Sequence, residues 1–313
     1  MEKNYDIQFL QNKEIDKQRW DECIGKAYNS RIYGLSVYLD NMCSNWSALV
    51  LEDYKAVMPL TWRKKYGIYY LYQPAFCQQL GIFADTPLSK EMVSAFLSSI
   101  PKKFGYWEIA LNSGNMVTSY PTRAGKNYLL SLADSYQHLY KNYNRNAKRN
   151  IKKAIEAEIQ IYENISLDIV ISLHRQRFKD NVGANEKDYN HFLLLLNHLS
   201  KKDQVYSIGA MDKNNVFIAS SIYLLYNNRL IFIINGNLPA GLNNGSAYLI
   251  KDFVINKFSG QKIIMDFEGS DNPQFARFYQ QFGACEIEHY PFIVKNNLPW
   301  LLRYFKKSTP FFQ

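Results

Sequence analysis

The same order of elements can be read twice along this chain, and that repetition limits the fold more than any single motif does. In the first half, Trp46–Leu51, Ala56–Trp62 and Ile68–Tyr72 are runs of apolar and β-forming residues that predict three strands. A connection follows, then Lys90–Ile100 with Met92, Val93, Phe96, Leu97 and Ile100 on one helical face, then a strand at Tyr106–Leu111. The second half repeats the order: strands Val205–Ala210, Val216–Tyr226 and Leu230–Asn235, a Gly/Asn loop, helix Ala247–Lys257 and strand Lys262–Phe267. A duplicated α/β unit built on a mixed sheet accounts for 313 residues, more than a single domain usually takes. Domains are expected at 1–130 and 131–295, with 296–313 a helical tail packing on the body; a basic amphipathic membrane contact is the other reading of that tail.

Composition narrows the classes. Hydrophobic residues at 47% and charged residues at 21% exclude a disordered chain. The net charge of +9 favours phosphate-bearing partners. No helix-turn-helix, zinc-finger or RNA-binding signature accompanies it, so specific DNA binding is not expected. Cysteines 23, 43, 77 and 285 form no C-x-x-C or His/Cys pattern, which predicts reduced thiols and no metal. The N-terminus lacks the apolar core of a signal peptide, and no apolar run reaches the ~20 residues of a membrane span, so a cytoplasmic location is expected.

Between the two copies, Asp134 to Ala157 reads as one long helix, with Asp134 and Gln137 as a capping box. Leu139, Tyr143, Ala147, Ile151 and Ala154 form its apolar face, while Lys141, Arg145, Lys148, Arg149, Lys152 and Lys153 occupy the others. Such a surface is either a solvated face or a landing strip for a phosphate-rich donor. Further helices are predicted at Leu167–Phe178 and Lys187–Ser200; their His174, His191 and His198 lack ligand-spaced partners and read as packing or surface residues.

Chemistry concentrates in the segment 266–284. Strand alternation would place Asp266 and Glu268 on one face, where paired carboxylates suit acid/base work. Asn272-Pro273 starts a helix, Phe275, Phe278 and Phe282 line it, Gly283 stops it, and Tyr279 emerges beside Glu268 as a candidate proton donor. Upstream, Gly236–Ala247 is a strand-to-helix loop in which Gly241 and Gly245 permit tight backbone and Gly245, Ser246 and Ala247 offer amides to an anion.

These residues carry a resemblance. Strand–loop–helix–strand followed by Asn272, Tyr279 and Gly283 resembles the GNAT acetyltransferases, whose last helix supplies a tyrosine that protonates the departing coenzyme A thiolate. The pyrophosphate loop of that family is matched by Gly245-Ser-Ala247, with Leu242 where a polar or basic residue belongs. The duplication, the basic stretch 146–154 and Asp266-Phe-Glu-Gly-Ser270 resemble more closely the FemAB-type peptidyltransferases, which carry two GNAT-like domains. The resemblance implies two tandem GNAT-like domains and an acyltransferase that moves an acyl or aminoacyl group onto an amine by direct transfer. Acyl-CoA or aminoacyl-tRNA would be the co-substrate, and the amine-bearing acceptor a cell-wall or envelope precursor, met by peripheral contact where it is membrane-bound. Glu268 would be the base, helped by Asp266, and Tyr279 the acid. The strands around Tyr223 and Asn235 would part to pair with the donor, with Gly245, Ser246, Ala247, Arg145, Lys148 and Arg149 around it. A GNAT fold kept only for ligand or nucleic-acid binding is the alternative.

Overall fold

The computed structural model describes residues 5–178, 183–284 and 286–298. They divide into two compact units: one runs to Gly125 and resumes at His289, and the other spans Lys126–Glu288.

In the first unit, Ile7–Gln11 (β1), Trp46–Leu51 (β2), Ala56–Lys65 (β3) and Ile68–Tyr72 (β4) form an antiparallel run, Phe83–Ala84 (β5) pairs β3, and Phe104–Ala110 (β6) joins β4 in parallel. Every residue of β2 is buried, as expected of a strand covered on both faces. Helices Lys17–Lys26 (α1), Ser36–Met42 (α2) and Lys90–Ser98 (α3) supply the cover. On α3 the Ser89 side chain caps the Met92 amide, and Val93, Phe96 and Leu97 go into the core with Leu49, Met58 and Trp107.

The second unit takes Thr122–Ser131 (β7) from Lys126 onward, then Tyr136–Lys141 (α4), Arg145–Glu156 (α5), Gln160–Glu163 (β8), Leu167–Arg177 (α6) and Glu186–Ser200 (α7). Val205–Met211 (β9), Phe217–Tyr226 (β10), Arg229–Asn237 (β11), Pro239–Asn243 (α8), Ser246–Phe258 (α9), Ile264–Asp266 (β12) and Pro273–Gln280 (α10) complete it. Its sheet order is β7-β12-β11-β10-β9-β8. Asn227 and Asn228, both left-handed at φ 45° and 59°, close the β10–β11 hairpin with the backbone such tight turns require. The core gathers Tyr223, Phe232, Ile250, Val254, Met265, Phe267 and Phe282. The last strand, Glu286–Asn296 (β13), pairs β6 of the first unit antiparallel, with Ile293 opposite Ile109.

Two expectations change and one lies outside the described residues. The single helix 134–157 is two, because Asn142–Asn144 breaks it; Ser135 rather than Asp134 caps α4, and the Asn144 side chain caps α5 through the Ala147 amide. The predicted apolar face is nonetheless buried across the break. The loop 236–247 contains the short helix α8. The tail from 299 onward, like Cys285, lies outside the described residues. No helix among the described residues is long and apolar enough to cross a membrane.

Candidate active site

The site begins where two strands part. β11 and β12 run parallel and pair only at Arg229↔Ile264, Leu230↔Met265 and Ile231↔Asp266. Beyond those rungs β11 continues to Asn237, paired with β10 on its other side. The expected opening lies between the strands carrying Tyr223 and Asn235. Those strands stay zipped, with Ser221 opposite Asn235, and the opposite edge of β11 is the one that opens. The register explains which groups face it. Leu238 N–H donates to Ile218 O, and counting back along an antiparallel ladder turns the peptide groups of Asn235 and Asn237 toward the gap. A bulge between Ile222 and Tyr223 leaves Ile233 as an extra residue in β11, so Phe232 faces α9 while Gly236 faces α6. Gly236 is required there: a Cβ would stand 2.5 Å from Leu173 and His174.

α6 brings two basic side chains to this edge. His174 Nδ1 lies 2.7 Å from Asn235 O, so Nδ1 carries the proton and donates it to the carbonyl. Burial lowers the His174 pKa to about 4, against the rise from that hydrogen bond, which makes the ring neutral at neutral pH. One turn later Arg177 has a buried Nη1 with no hydrogen-bond partner among the described residues. Burial lowers its pKa, and the Tyr279 phenol counteracts this by favouring the charge.

β12 ends at Asp266, and Glu268 and Gly269 are both left-handed, at φ 44° and 55°. The expected strand alternation therefore stops before Glu268, and the two carboxylates do not share a strand face. For a non-glycine residue this conformation costs roughly 1–2 kcal/mol. It is held by three contacts: Glu268 N–H donates to Asp266 Oδ1 at 3.0 Å, Ser270 Oγ donates to Glu268 O at 3.1 Å, and Phe267 N–H donates to Tyr128 O at 3.2 Å. Asp266 is otherwise occupied. It forms an ion pair with Arg229, whose other arm reaches Glu288 at 2.9 Å, and all three are nearly buried. Burial would lower the Arg229 pKa, but Asp266 and Glu288 raise it well above the usual value. Truncating Asp266 would take one of two counterions from that buried guanidinium, at a cost of at most about 3–5 kcal/mol.

Tyr279 comes from α10, started by Asn272 and Pro273 as expected. Its ring stacks on Phe267 at 4.7 Å and meets Phe232 edge-on at 6.2 Å, the first residue past the last rung on each strand. Burial raises the phenol pKa far above its ordinary value, Glu268 and Asp266 push the same way, and Arg177 opposes them. Tyr279, Glu268 and Arg177 thus share one electrostatic neighbourhood at the fork.

The other predicted residues divide. Gly245 is left-handed at φ 85°, and a Cβ there would strike Asn150 O at 2.3 Å, so the loop packs directly against the basic helix α5. Ser246 is fully buried, with its N–H and Oγ both given to Asn244 Oδ1 at 3.1 and 2.5 Å. Ala247 lies outside it, half-buried, and Leu242 is half exposed. On α5, Arg145 and Arg149 are exposed and Lys148 is half-buried over the Tyr140 ring. Asn146 ties α5 to Tyr248 at 3.1 Å and to Gln281 at 2.6 Å. Tyr223 is wholly buried, and its hydroxyl accepts from Lys251 Nζ at 2.9 Å. Nothing in the sequence marks Lys251 as buried, because a lysine on an amphipathic helix is ordinarily solvent-facing. His174 and Arg177 are likewise unmarked, because their partners are a backbone carbonyl and a phenol distant in sequence. No group of His, Cys, Asp and Glu among the described residues is arranged to hold a metal.

The fold agrees with known structures. FemX matches with a TM-score of 0.64 at 9% identity, covering 91% of this chain and 97% of FemX. The C-terminal domain of a putative lysylphosphatidylglycerol synthetase from Agrobacterium fabrum matches at 0.56 and 10% identity, covering 91% and 92%. A tandem GNAT protein from the clavulanic acid pathway matches at 0.53 and 10%, covering 94% and 99%. No family model and no curated protein matches the sequence. At these identities the likeness establishes the fold: an α/β chain with the GNAT-like, FemAB-type architecture, sharing it with a tandem GNAT protein.

Proposed function

We propose that the second unit transfers an activated acyl or aminoacyl group directly onto an amine. The observation that carries this is the fork between β11 and β12, with Glu268 and Tyr279 at the point of parting and the Asn235 and Asn237 peptide groups along one side. An extended donor aligned on those peptide groups would present its carbonyl at the fork. Glu268 takes a proton from the acceptor ammonium, and the freed amine attacks the carbonyl carbon. As the tetrahedral intermediate collapses and the C–O or C–S bond breaks, Tyr279 gives its proton to the departing oxygen or sulfur and recovers one from the nitrogen. Arg177 steadies the transient phenolate. Asp266, committed to Arg229, serves by holding the Glu268 turn.

The neighbours support this class of chemistry: a lysylphosphatidylglycerol synthetase and a GNAT protein described without AcCoA both point to acyl transfer. For the donor, the cationic α5 beside Gly245 fits an anionic body such as aminoacyl-tRNA or acyl-CoA. An amine-bearing envelope precursor is the acceptor this reading favours. Ser246 spends its N–H and Oγ on Asn244 rather than on a phosphate, which weighs against acyl-CoA as the donor; a GNAT-like fold kept for ligand or nucleic-acid binding without turnover is the alternative reading. Acyl release from aminoacyl-tRNA and from acetyl-CoA, each with and without a primary amine, separates these readings. Glu268→Gln and Tyr279→Phe are expected to lower transfer about 10²–10³-fold with melting temperatures unchanged; wild-type rates in both remove the mechanism.

A further inference from the structure

Lys251 is 1% exposed, in the core of the second unit. Its stem crosses from α9 to the sheet, and Nζ stands 3.1 Å from the centroid of Phe232, 5.3 Å from that of Phe267 and 4.8 Å from that of Tyr223. Phe232 and Phe267 are the residues that directly follow the last rung, Ile231↔Asp266. The lysine tip therefore lies against the first residue on each strand that fails to pair. From this juxtaposition we infer that Lys251 is a positioning residue, a wedge that holds β11 and β12 apart and so sets the fork, whatever group the fork receives.

The surroundings explain why a lysine does this. Only a long, unbranched side chain reaches the parting point from α9, and its tip must also satisfy the buried Tyr223 hydroxyl, which it does at 2.9 Å. Two phenylalanine rings present their faces or edges to a nitrogen that need not be charged. The titratable groups around it are phenols: Tyr223 from β10, Tyr206 behind it from β9 with its hydroxyl on Glu163, and Tyr279 from α10, stacked on Phe267. The nearby carboxylates are directed elsewhere, Asp266 to Arg229 and Asp252 to Tyr136. Burial accordingly drives the amine well below its ordinary value. Folding then releases a proton from Lys251, so over the range below the ordinary lysine value of ~10.4 the native state loses stability as pH falls.

Hydrogen exchange on the full-length protein, followed by mass spectrometry, tests the wedge without any substrate. In Lys251→Ala the two phenylalanines close into the vacated space and the strands zip further. The amides of Asn235 and Asn237, which face the gap, should then exchange at least roughly tenfold more slowly than in wild type, against the faster exchange that core truncation ordinarily brings. Lys251→Met, which retains the reach, should keep wild-type exchange at the fork. It should also remove the pH dependence, so that its melting temperature gains on wild type as the pH is lowered from about 10. If the alanine variant does not fold, Lys251→Leu, which keeps apolar volume but stops short of the fork, carries the same expectation of slowed exchange. Fork amides that exchange at wild-type rates or faster in the shortened variant would overturn the assignment.

Discussion

Among the described residues each unit has a parallel strand pair, β4 with β6 and β11 with β12, and the two units treat it in opposite ways. In the first, β4 and β6 pair from Tyr69↔Phe104 to Tyr72↔Glu108, and the ladder resumes at Leu80↔Leu111. Between those points the chain seals its own edge: Ala110 N–H donates to Gln73 Oε1 at 3.1 Å, and Ala110 O accepts from Leu80 N–H at 2.9 Å. What is left is a cavity of about 10 Å³, room for one water, lined by Leu60, Thr61, Gln73 and Leu80 among others. Among the described residues of the second unit no glutamine folds over the edge. Aromatic rings, a buried lysine and a left-handed turn follow the last rung instead, and a histidine meets the Asn235 carbonyl. One recipe of strands and helices thus yields a sealed edge or a fork according to a few side chains at the parting point, and the chemistry proposed above belongs to the fork.

The largest effect expected is at the loop joining β11 to α9. Gly245→Val puts a branched side chain at a left-handed position and against the Asn150 carbonyl, at roughly 3–5 kcal/mol, whereas Gly67→Ala in the first unit, left-handed at φ 79° with open space around it, should cost only about 1 kcal/mol. Urea denaturation of both variants reads this, and equal costs would break the contrast. His174 comes next. Its folded pKa of about 4 lies below the ordinary 6.5, so the unfolded chain binds the extra proton; the stability His174 contributes is complete above pH 6.5 and is lost as pH falls toward 4, by about 3 kcal/mol at most. His174→Asn should flatten that slope in denaturation curves recorded across the range. The smallest effect is at the sealed edge: Gln73→Ala strands the Ala110 amide, at about 1–3 kcal/mol, and should speed its exchange while leaving acyl transfer untouched.

Much of the scaffold was legible in the sequence because strands announce themselves through β-forming runs, and α10 through Asn272, Pro273 and Gly283. The break at 142–144 was not, since Leu139, Tyr143 and Ala147 keep a helical spacing across it and only Asn144 hints at a new cap. The candidate site was half legible. Glu268 and Tyr279 stood out by their neighbours in the chain, but the edge that opens is decided by register, which no composition shows. Lys251 was hidden because its burial depends on aromatic residues supplied by three separate segments, Tyr223, Phe232 and Phe267.

The strand β13 has a consequence for how the protein is made. A ribosome delivers β6 long before it delivers residues 292–296, the partners of Ala110 through Tyr106. Until then the first unit waits with a raw border, while the second, Lys126–Glu288, has already been made. A nascent chain stalled before His289 would therefore injure the half of the molecule that was synthesised first.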